Sequence, residues 1–137
     1  MAQFATTDGI IAFELLEALA PVQSPAPTLT LLHNFMSTGR TAWGALLPVL
    51  NQRHRILLPD LPGHGRSVGH PANYEHVLIA RQVADLMWSV GAETGHLAGC
   101  SSGGMVAQLL VHHRLVQPAS LCLISTTHST DPQRSGA

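Results

Sequence analysis

Ser101 lies in the stretch Gly99-Cys100-Ser101-Ser102-Gly103, between an apolar run that closes at Ala98 and another that opens at Met105. A serine with glycine at −2 and +2 matches G-x-S-x-G, the pattern of a nucleophile at the apex of a sharp strand-to-helix turn. The spacing follows from the chemistry. A nucleophile at such an apex sits on a strained backbone, and glycines beside it let strand and helix approach with no side chain between them. The helix that follows aims its positive end at the group where negative charge develops. Ser102 has Cys100 at −2 and fails the spacing, and Cys100, one residue off the apex, should point into the fold. Ser101 is therefore the candidate nucleophile, suited to attack on an acyl carbon. A plain Gly/Ser turn would carry the same letters, so the neighbouring elements decide between the two.

Those elements alternate. Phe4–Thr6 and Ile10–Leu16 flank Asp8-Gly9 and predict a hairpin. Three prolines make 20–27 a loop, and the uninterrupted apolar run 28–33 predicts a strand covered on both faces. Residues 41–50 have helical spacing, with Pro48 bending or ending the helix; 54–60 predicts a second buried strand and 61–74 a long loop. Ile79, Val83, Leu86, Met87 and Val90 share one face of a helix over 76–90 that Gly91 stops. A strand at 96–100, a helix at 105–116 and a strand at 120–126 complete the order. A hairpin followed by strand–helix alternation predicts an α/β fold, a mostly parallel sheet with an N-terminal antiparallel hairpin. In such sheets function gathers at the carboxyl ends of the strands. Three unusual loops fall there: HNFMSTG, DLPGHGRS and CSSGG.

Composition narrows the class. The 137 residues suit one domain, and only 11% are charged against about 25% in ordinary domains, which implies mostly buried secondary structure. The net charge is −1, and the seven basic residues, all Arg, form no block or aromatic-basic stripe, so nucleic acid is excluded as a partner. The N-terminus lacks the pattern of a signal peptide, and no stretch approaches the ~20 apolar residues of a membrane span. Cys100 and Cys122 both lie in apolar contexts and are expected to be buried free thiols. The expectation is a soluble cytoplasmic protein that binds no membrane and uses no metal and no cofactor.

LLHNFMSTG…W, PDLPGHGRS and GCSSGGMVAQ, in this order, resemble the first half of an α/β-hydrolase, from about Phe4 to Thr127. Within that superfamily the chain is most similar to small bacterial esterases and lactonase-like members, 3-oxoadipate enol-lactonases included. The resemblance implies that Ser101 forms an acyl-enzyme and that the backbone N–H groups of Ser102 and Phe35 hold the oxyanion. It implies a structural His33, an apolar substrate-binding pocket of Phe35, Met36 and Trp43, and a glycine-shaped turn over 60–67 beside that pocket. Asn34 stands where the family usually has glycine, which implies a left-handed backbone at Asn34.

The family's acid and histidine follow the seventh and eighth strands, whereas this sequence ends at Ala137, past its sixth. The resemblance therefore implies a chain truncated there: a single domain over 1–137, with 129–137 resembling the exit toward a lid domain, and almost silent by itself. His64 and His70 belong to the glycine-rich loop, His76 starts a helix, and His112 and His113 lie roughly 10 Å or more along the helix after the elbow. His128 as base and Asp131 as acid are the substitutes within the sequence. The expected function is a serine hydrolase acting on a small-molecule carboxylic ester, thioester or lactone. The alternative is an inactive fragment or half-domain that acts only by binding. A serine at the elbow weighs against dehalogenase and epoxide-hydrolase chemistry, which needs a carboxylate there.

Overall fold

The computed structural model describes residues 1–72 and 75–127. Its strands are β1 (Ala2–Ala5), β2 (Ile10–Leu16), β3 (Thr28–Leu32), β4 (Arg55–Pro59), β5 (His96–Cys100) and β6 (Ser120–Ile124). Its helices are α1 (Gly39–Trp43), α2 (Leu47–Leu50), α3 (His76–Ser89) and α4 (Ser102–His112). The sheet order is β1-β2-β4-β3-β5-β6. β1, β2 and β4 pair antiparallel, and β4, β3, β5 and β6 run parallel. The chain is thus α/β with an antiparallel N-terminal hairpin, as the alternation predicts.

Alternation along the central strands builds two cores, as a doubly covered sheet requires. Leu32, Leu57 and Leu97 face α3 and α4, where they meet Val83, Leu86, Met87, Val106 and Leu110. Leu31, Ile56, Leu58 and Ala98 face the other way, onto Trp43 and Leu47. The predicted stop of α3 is a left-handed glycine: Gly91 has φ +72°, and the Ala92 N–H reaches back to the Met87 carbonyl at 2.8 Å. The predicted helix 41–50 is instead two short ones, with Pro48 in the first turn of α2. Proline lacks an N–H and is tolerated there, where no intrahelical donor is needed.

β6 lies at the edge of the sheet, and both its faces are open: Leu121, Leu123 and Ile124 are 38–41% exposed. Both cysteines are free, but Cys122 lies on this strand and is exposed rather than buried, while Cys100 is half-buried.

The topology turns at β3. The chain leaves β3 for β4 on one side, then crosses back by α3 to β5 on the other. The loops after β3 and β5 therefore diverge from neighbouring strands, the place where α/β sheets form crevices for ligands.

Candidate active site

Ser101 bridges β5 and α4 with φ 52° and ψ −117°, a conformation that non-glycine residues seldom adopt. Close packing enforces it. A Cβ at Gly99 would collide with the backbone of Gly103 and Gly104, and one at Gly103 with the carbonyl oxygens of His33 and Leu32. Both glycines of the motif are needed because strand, helix and the end of β3 occupy the same space. The Ser101 N–H donates to the Ile124 carbonyl at 2.9 Å, and its carbonyl accepts from Met105 N at 3.1 Å and Thr126 Oγ1 at 2.6 Å. Its side chain is exposed, and among the described residues no imidazole or carboxylate hydrogen-bonds to its Oγ.

Because Ile124 takes the Ser101 N–H, the next donor along the helix start is that of Ser102. It has no protein acceptor among the described residues, and neither has the Phe35 N–H. Ser102 and Phe35 line one cavity of about 310 Å³ at the carboxyl ends of the strands, together with Met36, Leu61, His64, Ile79 and Val106. A larger cleft of about 870 Å³ opens at the opposite end, beside Thr28, Arg55 and His96, where the strands begin. It contains none of the predicted site residues, so the smaller cavity is the candidate site.

His33 fixes the loop that presents Phe35. The ring is fully buried, its Nδ1–H donates to the Asn34 carbonyl at 2.7 Å, and its Nε2 accepts the Leu61 N–H at 2.8 Å. Burial pushes its pKa below the usual 6.5, outweighing the Asn34 hydrogen bond that favours the charged form. With both nitrogens engaged, it cannot act as a base.

Asp60 organises the glycine-rich turn. Its carboxylate is 5% exposed and accepts the Gly39 N–H at 2.9 Å, at the start of α1, and the Arg66 N–H at 3.1 Å. Gly65, at φ +51°, has no room for a Cβ because the Asp60 carboxylate fills that space. Ser67 Oγ donates to the Asp60 carbonyl and accepts the Ala12 N–H at 2.8 Å, tying the turn to β2.

Two expectations are corrected. Trp43 is 5% exposed within the cluster of Leu31, Leu47, Ile56 and Leu58 on the other side of the sheet, and it is not among the residues lining the cavity. Asn34 does not have the left-handed backbone; Met36 does, at φ 62°, so the loop turns two residues later. Phe35 and Met36, 63% and 81% exposed, do line the cavity. His128, Asp131 and the segment 129–137 lie outside the described residues. The turn over 60–67 contributes Leu61 and His64 to the cavity wall; sequence reasoning missed Ile79 and Val106, the latter one turn beyond Ser102 on α4. Among the described residues, no cluster of His, Cys, Asp or Glu could hold a metal ion, and no helix is long and apolar enough to cross a membrane.

A family model described as the alpha/beta hydrolase family matches residues 31–136. A pimeloyl-[acyl-carrier protein] methyl ester esterase from Aeromonas hydrophila is 38% identical over 89 residues, covering 64% of this chain and 33% of the esterase. A fluoroacetate dehalogenase from a Burkholderia species is 35% identical over 88 residues, 61% of this chain and 29% of the dehalogenase. The crystal structure of a hydrolase from Pseudomonas aeruginosa superposes with a TM-score of 0.85 at 30% identity, over 96% of this chain and 48% of that one. The chain thus spans about a third of these curated relatives and about half of the matching structure.

Proposed function

Since the chain belongs to the alpha/beta hydrolase family, we propose that it carries the nucleophile and oxyanion site of a serine hydrolase acting on a carboxylic ester, thioester or lactone. Ser101 Oγ attacks the acyl carbon and passes its proton to a base. The oxyanion is held by the N–H groups of Phe35 and Ser102, each worth about a hundred- to a thousandfold in rate if such donors behave as elsewhere. Collapse of the tetrahedral adduct expels the leaving oxygen or sulfur and leaves Ser101 acylated. Water then attacks the acyl carbon and regenerates the hydroxyl. No described residue touches Ser101 Oγ as base, so that role falls to a residue outside them.

The observation that carries this reading is the Ser101 backbone, φ 52° and ψ −117°, held at a strand-to-helix apex that leaves its side chain exposed. The resemblance to a fluoroacetate dehalogenase does not extend the proposal to carbon–halogen bonds. That chemistry requires a carboxylate at the elbow, whose ester is opened by water at the enzyme's own carboxyl carbon.

The test is covalent labelling with a fluorophosphonate and mapping of the modified residue by mass spectrometry. Label on Ser101 is the expected result. A second reading is binding without catalysis. An unlabelled Ser101 in folded protein would support that reading instead.

A further inference from the structure

Three histidines line the candidate cavity, and their nitrogens are not equally committed. His70 Nε2 lies 2.8 Å from the Ile10 carbonyl, and His76 is exposed at the start of α3. His64 is half-buried, and its Nδ1 lies 3.2 Å from the Pro62 carbonyl. A carbonyl can only accept, so the neutral ring carries its proton on Nδ1 and leaves Nε2 a bare acceptor. That Nε2 has no protein donor among the described residues and is not enclosed by protein. The ring is also held in place. It meets His33 edge to face at 5.2 Å between centroids and Phe35 at 5.5 Å. A fixed acceptor therefore stands in a lining that also includes the apolar side chains of Met36, Leu61, Ile79 and Val106, beside the loop that presents the Phe35 N–H.

We infer that His64 is a specificity-determining residue, and that the preferred substrates are esters or lactones whose acyl part carries a hydroxyl or amide N–H within reach of its Nε2. The inference rests on the hydrolase reading of the same cavity. The physical reason is asymmetric: a substrate with the donor replaces the water that Nε2 gives up on binding, whereas one without it leaves a desolvated acceptor. One neutral hydrogen bond is worth about three- to tenfold in affinity.

The test uses a near-isosteric pair, methyl 3-hydroxyhexanoate and methyl 3-methylhexanoate, whose binding is measured by NMR saturation transfer with no turnover required. The His64 ring proton resonance is assigned by its loss in His64→Phe. In the unmodified protein the hydroxy ester should bind about three- to tenfold more tightly and move that resonance. His64→Phe keeps an aromatic edge for Phe35 and His33 but should abolish the preference. His64→Gln, which offers an acceptor again, should recover part of it and decides the matter if the Phe variant does not fold. Equal affinities in the unmodified protein, no binding of either ester, or a preference that survives His64→Phe would each overturn the inference. Fluorophosphonate labelling separates the two ideas. Labelled Ser101 with equal affinities overturns the role of His64 alone, and a His64-dependent preference without labelling overturns the hydrolase reading alone.

Discussion

The Leu61 N–H donates to His33 Nε2 at 2.8 Å, so one fully buried imidazole joins the loop that presents Phe35 to the loop that carries His64. The bond exists only while the ring is neutral, because a protonated imidazole has no lone pair to offer.

That dependence gives a pH prediction. Burial holds the native His33 pKa below 6.5, so between that lower value and 6.5 the unfolded chain binds a proton at His33 that the native protein does not. Stability therefore rises with pH in this window and is lost as pH falls through 6.5. The melting temperature should drop on acidification, and His33→Phe should flatten part of that drop. At neutral pH the same variant should be less stable by about 1–3 kcal/mol, because the buried Leu61 N–H is left without an acceptor. Melting curves of both proteins across the window check it; parallel curves would remove His33 as the cause.

Ser101→Ala should abolish fluorophosphonate labelling. Ser102→Ala should leave it nearly intact, because the proposed contribution of Ser102 is a backbone N–H that alanine retains. Label on Ser102, or equal loss from both changes, would show that the apex is one residue out.

Two glycines should respond differently to alanine. At Gly103 the new methyl meets the carbonyl oxygens of His33 and Leu32, which cannot move without shifting β3, so a loss of about 3 kcal/mol or more is expected. At Gly63 nothing lies within 4 Å, and the cost is only that of a left-handed alanine at φ +80°, about 1–2 kcal/mol. Urea denaturation of the two variants gives the comparison; a cheaper Gly103→Ala would mean that helix and strand are less tightly joined.

Met36 stands at φ 62° with 81% of its surface exposed, so backbone conformation rather than packing sets the cost of replacing it. Met36→Asn should be neutral or stabilising by up to about 1 kcal/mol, and Met36→Val should destabilise by about 1–2 kcal/mol. Equal melting temperatures for the two would show that the loop does not hold this angle in solution.

The elbow was legible in the sequence because its demands are local. A strained apex and the contact of β5 with α4 are set by five consecutive residues, so the two glycines announce Ser101 directly. The two faces of β3 and β4 could be read as buried for the same reason. Trp43 could not be placed on one side of the sheet or the other, because that depends on which way the chain leaves β3. The left-handed turn after β3 falls at Met36 and not at Asn34, since tolerance of a left-handed backbone says which residue could adopt it, not where the loop needs it. The exposure of Cys122 depends on what stands beside β6, and composition carries no trace of that. His64 was hidden by its surroundings: a histidine in a glycine-rich turn shows its free nitrogen only when the Pro62 carbonyl has taken the other.

The elbow is stitched to the least protected strand of the sheet, through the Ser101 N–H on the Ile124 carbonyl and the Thr126 hydroxyl on the Ser101 carbonyl. A fluctuation that peels β6 from β5 therefore also frees the Ser101 amide. In hydrogen–deuterium exchange the two should open as one cooperative unit with a small opening free energy, well below that of the Leu57 and Leu97 amides in the core. Ser101 then holds its apex geometry only for the fraction of time that β6 is docked, which makes the seating of one exposed strand a clock on the turn beside it.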